Sequence, residues 1–193
     1  MFGRGMSEKR RQVEIRPGDI GRDADFVRRI DTSFETGSII EVRRSLHGFD
    51  LFERALDTTV TKTFPLGLDD LAETAHEWEH TWLALDHGQP VGVVSTEHQR
   101  WNRRAVVWHL YVDAGHRRQG IARRLLDAAV DSARDGGALM AWLETSSLNV
   151  PGIRAYESLG FELCGFDTSL YEGTEAEGEF AIFLRRPLRA PRS

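Results

Sequence analysis

Cysteine is nearly absent from this chain of 193 residues: Cys164 stands alone. No intramolecular disulfide can form, and a reducing, cytoplasmic setting is the expectation. Long apolar runs are missing too. No stretch approaches the ~18 residues of a membrane-spanning helix. The opening MFGRGMSEKRRQ is basic with no apolar segment behind it, which argues against a secretory signal. Lysine is scarce, with Lys9 and Lys62 the only ones among 25 basic residues, and the formal net charge is −5. That balance, without interleaved aromatic and basic residues, argues against nucleic acid and for a cationic partner. Repeats and low-complexity tracts are also lacking.

What is present suits one medium-sized domain: 40% of residues are apolar and charge of both signs is mixed through the chain. Residues 1–12 read as a disordered basic lead-in, 13–187 as a single domain and 188–193 as a disordered tail. QVEIR (12–16) alternates as a short strand closed by Pro17-Gly18, and 23–31 reads as a short helix capped by Asp23 or Asp25. Residues 37–64 read as extended segments wrapping a sheet edge. From Trp82 to Val112 the pattern gives three antiparallel strands with turns at DHGQP and WNRR. A helix follows, with Ile121, Leu125, Leu126, Ala129, Val130 and Ala133 in one apolar stripe, ended by Gly136-Gly137. ALMAWLET (138–145) is a strand. NVPGIRAYESLGF is a second helix, capped by Asn149 and ended by Gly160, and a closing hairpin spans an acidic loop. The fold class is α/β of the α+β type: a mixed, mostly antiparallel sheet with helices on both faces. A strand–helix–strand crossover makes its strands 106–112 and 138–145 parallel neighbours.

The segment HRRQGIARRLLDAAVDSARDGG (116–137) sets four arginines and a glycine at a helix mouth. A helix N-terminus presents unpaired N–H groups and about half a positive charge, which phosphate oxygens satisfy when the backbone can come close. Gly120 and Ala122 keep that approach open, and Arg117, Arg118, Arg123 and Arg124 add pairable charge. Neither a GxxxxGK[ST] nor a GxGxxG pattern is present.

Arg-x-x-Gly-x-Ala directly after HLYVD resembles the Q/R-x-x-G-x-G/A signature of the Gcn5-related N-acetyltransferases, the GNAT superfamily. LETSSLNVPGIRAYESLGFELCGFD is similar to that superfamily's N-x-x-A-x-x-x-Y-x-x-x-G-F block. Together the blocks span about 106–170, and the run from LET to SLYEG with IDTSFETGS upstream most resembles the streptothricin acetyltransferase branch. The resemblance implies a GNAT-like fold with a splayed parallel strand pair and acetyl-CoA as co-substrate, with no metal. It implies that the diphosphate lies on Arg117, Arg118, Gln119, Gly120, Ile121 and Ala122, and that the strands part after Leu110. The pantetheine arm would then bond the backbone of Leu110, Tyr111 and Val112 and meet Asn149, with the Val112 N–H facing the thioester carbonyl.

Acyl transfer to an amine must remove the amine's proton and favour departure of the thiolate. Tyr156 stands where the family's tyrosine serves the departing thiol. For the base, relatives carry acidic residues where this chain has Trp108 and His109, which leaves His109 and Glu144 as candidates. Strand alternation groups His109 with Val107 and Tyr111. Asp31, Glu35, Glu144 and Asp167 are candidates to hold a polycationic acceptor, and Cys164 reads as a buried strand residue rather than a nucleophile. The reading is an acetyl-CoA-dependent N-acetyltransferase acting on a primary amine, with a streptothricin-type or other polycationic antibiotic as the most specific acceptor. A peptide or polyamine-like acceptor, or a non-catalytic CoA-binding regulatory domain, are the alternatives. The partners are acetyl-CoA and the amine, without nucleic acid or membrane, and a homodimer is compatible with the sequence.

Overall fold

The computed structural model describes residues 13–188. Along the chain run β1 (Glu14–Gly18), α1 (Ile20–Val27), β2 (Ser33–Ser45), β3 (Gly48–Thr63), α2 (Leu71–Thr74), β4 (His80–Asp86), β5 (Gln89–Gln99) and β6 (Arg104–Val112). Then come α3 (Ile121–Asp135), β7 (Met140–Ser146), α4 (Val150–Ser158), β8 (Glu162–Asp167) and β9 (Ala181–Pro187). Seven strands form one sheet in the order β1-β4-β5-β6-β7-β9-β8, antiparallel except for β6–β7. The expected mixed sheet is therefore present, with β2 and β3 making a ribbon of their own.

Two apolar layers cover the sheet. The stripe of α3 buries Ile121, Leu125, Leu126, Ala129, Val130 and Ala133 against Ala84, Val94, Ala105 and Val107, and Ile153 of α4 joins over Leu143, Ile182 and Leu184. On the other face Val27, Ile30, Leu68 and Trp78 cover Leu83, Leu85 and Val93. A sheet clad on both faces leaves its strand ends as the place for a site.

Several local expectations shift. The first helix spans Ile20–Val27 rather than 23–31 because Asp19 caps it, its side chain accepting from the Gly21 N–H at 3.0 Å. Pro17-Gly18 do not close β1 but belong to it, which an edge strand permits. A side chain at Gly18 would crowd Thr81 Cγ2 at 2.9 Å across that pair. Residues 37–64 do not wrap an edge. They are most of a hairpin that pairs with itself, shifted in register between Thr36 and Ser38. It docks on the body through the Ile40 N–H to Ser147 O (2.9 Å) and the Arg154–Glu53 ion pair (2.7 Å). Cys164, expected to be buried, is exposed on β8. Leu188, assigned to the tail, is buried and donates its N–H to Leu139 O at 2.8 Å. The lead-in 1–12 and the rest of the tail lie outside the described residues.

Asp23, released from capping, pins α1 to β1. Its carboxylate accepts from both Arg16 terminal nitrogens (3.1 and 2.9 Å) and from the Asp19 N–H (3.0 Å). The Arg16 hydrogen bonds lead in holding this carboxyl at about 2, against the cost of burial. Because the folded value is depressed, the stabilisation is present above an unfolded carboxyl's ~4 and is lost as pH falls through about 2. Asp23→Asn should cost about 1–2 kcal/mol near neutrality, discounted for a partly exposed Arg16. Urea unfolding from pH 7 down to pH 2.5 should show the wild-type advantage shrinking, and a constant difference would refute the assignment.

Candidate active site

β6 and β7 pair only at Arg104↔Met140, Ala105↔Ala141 and Val106↔Trp142. The splay expected after Leu110 thus opens earlier, beyond Val106. Its physical cause is a bulge. Opposite β5, Ser95 faces His109 and Thr96 faces Val107, leaving Trp108 as an extra residue that bends the strand. The bulge also breaks the expected alternation. Val107 packs with Leu110 and Val112 on the α3 side, whereas His109 and Tyr111 turn to the Trp78 side. The Asp113 N–H donates to Val91 O on β5 (2.9 Å), so backbone alternation directs the N–H groups of Val112 and Leu110 into the splay.

At one end of the splay lies the mouth of α3. Gly120 precedes it with φ +78°, no side chain caps the helix, and a Cβ at Gly120 would meet nothing within 4 Å. Arg118 also adopts positive φ, +62°, an uncommon conformation for a side-chain-bearing residue. The arginines divide their labour. Arg117 is committed to the fold, its guanidinium donating to Val112 O (2.9 Å), Ser33 O (2.6 Å) and Asp31 O (3.2 Å). Arg123 donates to Ser158 O at 2.7 Å, tying α3 to α4. Arg118 and Arg124 are exposed, without hydrogen-bond or ion-pair partners among the described residues. Gln119 donates to Gly115 O at 3.4 Å, while Ile121 is buried beneath the turn and Ala122 is half-buried. Open amides, a left-handed glycine and two free guanidinium groups fit a diphosphate.

Asn149 lies across the splay at the start of α4. Its Oδ1 accepts from the Gly152 N–H (3.0 Å) and its Nδ2 donates to Thr145 Oγ1 (2.9 Å). Gly152 makes this cap feasible, since a Cβ there would fall 2.2 Å from Asn149 Nδ2. Both ends of the amide therefore serve the chain itself.

Beyond the bulge, the chemistry-bearing residues gather around one carboxylate. Glu144 points from β7 and accepts a hydrogen bond from the Tyr171 hydroxyl. Burial raises its pKa above the ordinary carboxylate range, opposed by the Tyr171 hydrogen bond and the charge of Lys62. Tyr156, on α4, packs edge-on to Phe161 (6.0 Å), and burial followed by the Glu144 charge pushes its phenol to about 12. Tyr111 is also pushed well up, by burial first and then by Tyr156, Glu144 and Glu77. Every tyrosine of the chain is therefore near Glu144.

His109 is buried beside this group. Its Nε2 lies 3.0 Å from Glu77 Oε2, its ring stacks on Trp78 at 4.1 Å, and its Nδ1 has no partner among the described residues. The candidates for acceptor binding do not all converge. Glu144 is in the cluster, but exposed Asp31 accepts from the Ser33 N–H (2.9 Å) beside Arg117. Glu35 is exposed on β2, and Asp167 accepts from the Ser169 N–H (2.7 Å) and hydroxyl (2.8 Å). Four residues that sequence reasoning passed over belong here: Lys62, Glu77, Tyr171 and Glu179. Rarity is the signal for Lys62 and Tyr171, types used two and three times in the chain, while Glu77 and Glu179 stand in the acidic runs 69–79 and 172–179.

Residues 49–161 match the model of the acetyltransferase (GNAT) family. The chain is 38% identical to the streptothricin acetyltransferase of Streptomyces lavendulae over 177 residues, 89% of this chain and 92% of that protein. Among solved structures it is similar to nourseothricin acetyltransferase, with TM-score 0.80 and 35% identity over 92% of this chain and 99% of that one. It also resembles a Bacillus anthracis protein, provisionally named a streptothricin acetyltransferase and solved with acetyl coenzyme A. There the TM-score is 0.75 and identity 25%, over 92% and 99% of the two chains.

Proposed function

The chain belongs to the acetyltransferase (GNAT) family, and we propose that the amine it acetylates is that of a streptothricin-class antibiotic. The observation carrying this reading is the extent of the likeness. It covers nine-tenths of this chain and of the Streptomyces protein, and the unmatched remainder is too short to hold the β2–β3 hairpin. A hairpin that places Lys62 beside Glu144 is the part of the chain most able to select an acceptor. A carboxylate surrounded by phenols also suits a cationic amine better than a neutral one.

Acetyl-CoA supplies the activated acetyl group. The uncapped amides of α3, with Arg118 and Arg124, hold its diphosphate, and the N–H groups of Leu110 and Val112 line the splay for its pantetheine arm. The Val112 N–H then faces the carbonyl oxygen as charge develops there. Glu144 removes the amine's proton: a carboxylate raised by burial holds a proton better than an exposed one, which suits a base working near neutrality. Tyr156 donates a hydrogen bond to the departing sulfur. Buried His109 and half-buried Glu77 pair behind Tyr111 and keep that wall of the cleft rigid.

Thiol release from acetyl-CoA, followed with streptothricin, lysine-containing peptides and spermidine, tests the assignment. Release with streptothricin, and a single acetyl group on one of its amines by mass spectrometry, is the expected result. Release with peptides alone would replace the antibiotic by a protein acceptor.

A further inference from the structure

Lys62 lies near the end of β3 with its side chain turned inward. Its Nζ donates to both carboxylate oxygens of Glu179 at 2.6 Å, and the two side chains are only 22% and 15% exposed. Glu179, from the segment joining β8 to β9, also accepts from the Ser146 hydroxyl. Ser146 is two residues beyond Glu144 on β7, and this spacing puts both on one face of the strand. The ion pair thus bolts the hairpin, the acidic segment and the catalytic strand together beside the Glu144 carboxylate.

The groups facing Glu144 come from several elements. Tyr171 donates to it from the acidic segment, Tyr156 approaches from α4 and Tyr111 from β6. The Glu77–His109 pair lies behind Tyr111, and Glu179 is beyond Ser146. Three of these groups are phenols and two are further carboxylates. Among the described residues, Lys62 adds to this set the positive charge that acts on Glu144.

We propose that Lys62 is a positioning residue of the acceptor site: held by Glu179, it supplies the positive charge that keeps the Glu144 carboxylate ionised and ready to accept a proton. A partly buried ion pair sits in a medium of lower dielectric than water, where its field reaches a neighbour little screened. Replacing Lys62 by an apolar residue acts twice in one direction. It removes the cation, and it leaves Glu179 as a second uncompensated carboxylate nearby. Both changes favour the protonated form of Glu144.

The catalytic meaning of this role rests on the reading of Glu144 as the base, so the test keeps the two apart. The Glu144 carboxyl carbon is followed by ¹³C NMR in glutamate-labelled protein, its resonance assigned by its loss in Glu144→Gln. This titration needs neither acceptor nor turnover. Its midpoint should move to higher pH in Lys62→Met and return in Lys62→Arg, which restores the cation and also controls for damage to hairpin docking. An unmoved midpoint in Lys62→Met overturns the proposal. In parallel, the acidic limb of kcat/KM with streptothricin should move with the midpoint. Below the wild-type limb Lys62→Met should be about tenfold less active than wild type, relative to each enzyme's own plateau. A midpoint that moves while the limb stays put confirms the influence of Lys62 on Glu144 and removes Glu144 as the base.

Discussion

Tyr156→Phe should lower kcat by about a hundredfold and leave the affinity for acetyl-CoA within about threefold of wild type. The size of the loss follows from what this phenol can do. Burial and the Glu144 charge push it up to about 12, whereas a thiol ordinarily titrates near ~8.5. Full transfer of its proton to the sulfur would climb about 3.5 pH units, or roughly 5 kcal/mol. A hydrogen bond to the departing thiolate faces no such climb, and one well-placed donor to a developing anion is worth about a hundredfold or more. Tyr156 therefore works protonated across the whole working range. The pH profile of kcat should show no alkaline limb from this group below about pH 11, a statement that proton donation by a tyrosine of ordinary pKa would not allow. Affinity is spared because the diphosphate grip is at the other end of the splay. Steady-state kinetics and calorimetry with coenzyme A separate the two effects, and unchanged turnover would take Tyr156 out of the mechanism.

Much of the body was legible because the chain states it locally. The apolar stripe of α3 repeats at helical spacing between Gly120 and Gly136, and both boundaries are where the sequence puts them. The cap of α4 by Asn149 and the turns of the three-strand meander are likewise local chemistry. The bulge was not legible. VVWHLYV is apolar in either parity, so inserting one unpaired residue at Trp108 leaves the pattern intact while moving His109 to the face opposite Val107. The hairpin was hidden for the opposite reason. Apart from Phe34 and Thr36, most of β2 and β3 is half-buried or exposed, and Glu41, Arg43, Arg44, Asp50, Glu53 and Arg54 leave no apolar alternation to read. Lys62, Glu77 and the pair Tyr171 and Glu179 come from three separate stretches and meet only after folding. No spacing rule joins them, whereas the anion loop is contiguous and could be read directly.

Gly120→Val should weaken coenzyme A binding at least about thirtyfold, while kcat at saturating donor stays within about threefold of wild type. Two penalties need separating. A β-branched residue at φ +78° is strained by about 1–2 kcal/mol, which costs stability whatever binds nearby. The second penalty concerns the ligand alone. A Cβ at position 120 meets no protein atom within 4 Å, so the side chain would project into the space before the open amides of α3, where the diphosphate would approach. Gly137, at the far end of the same helix, provides the control. It too has positive φ, +92°, and a Cβ there also meets nothing within 4 Å. Gly137→Val should therefore lower the thermal midpoint about as much as Gly120→Val and leave coenzyme A affinity unchanged. Calorimetric titration of both variants isolates the contribution of the helix mouth. Equal affinities would mean that the loop at Gly120 does not hold the donor, and the diphosphate site would have to be sought elsewhere along the splay.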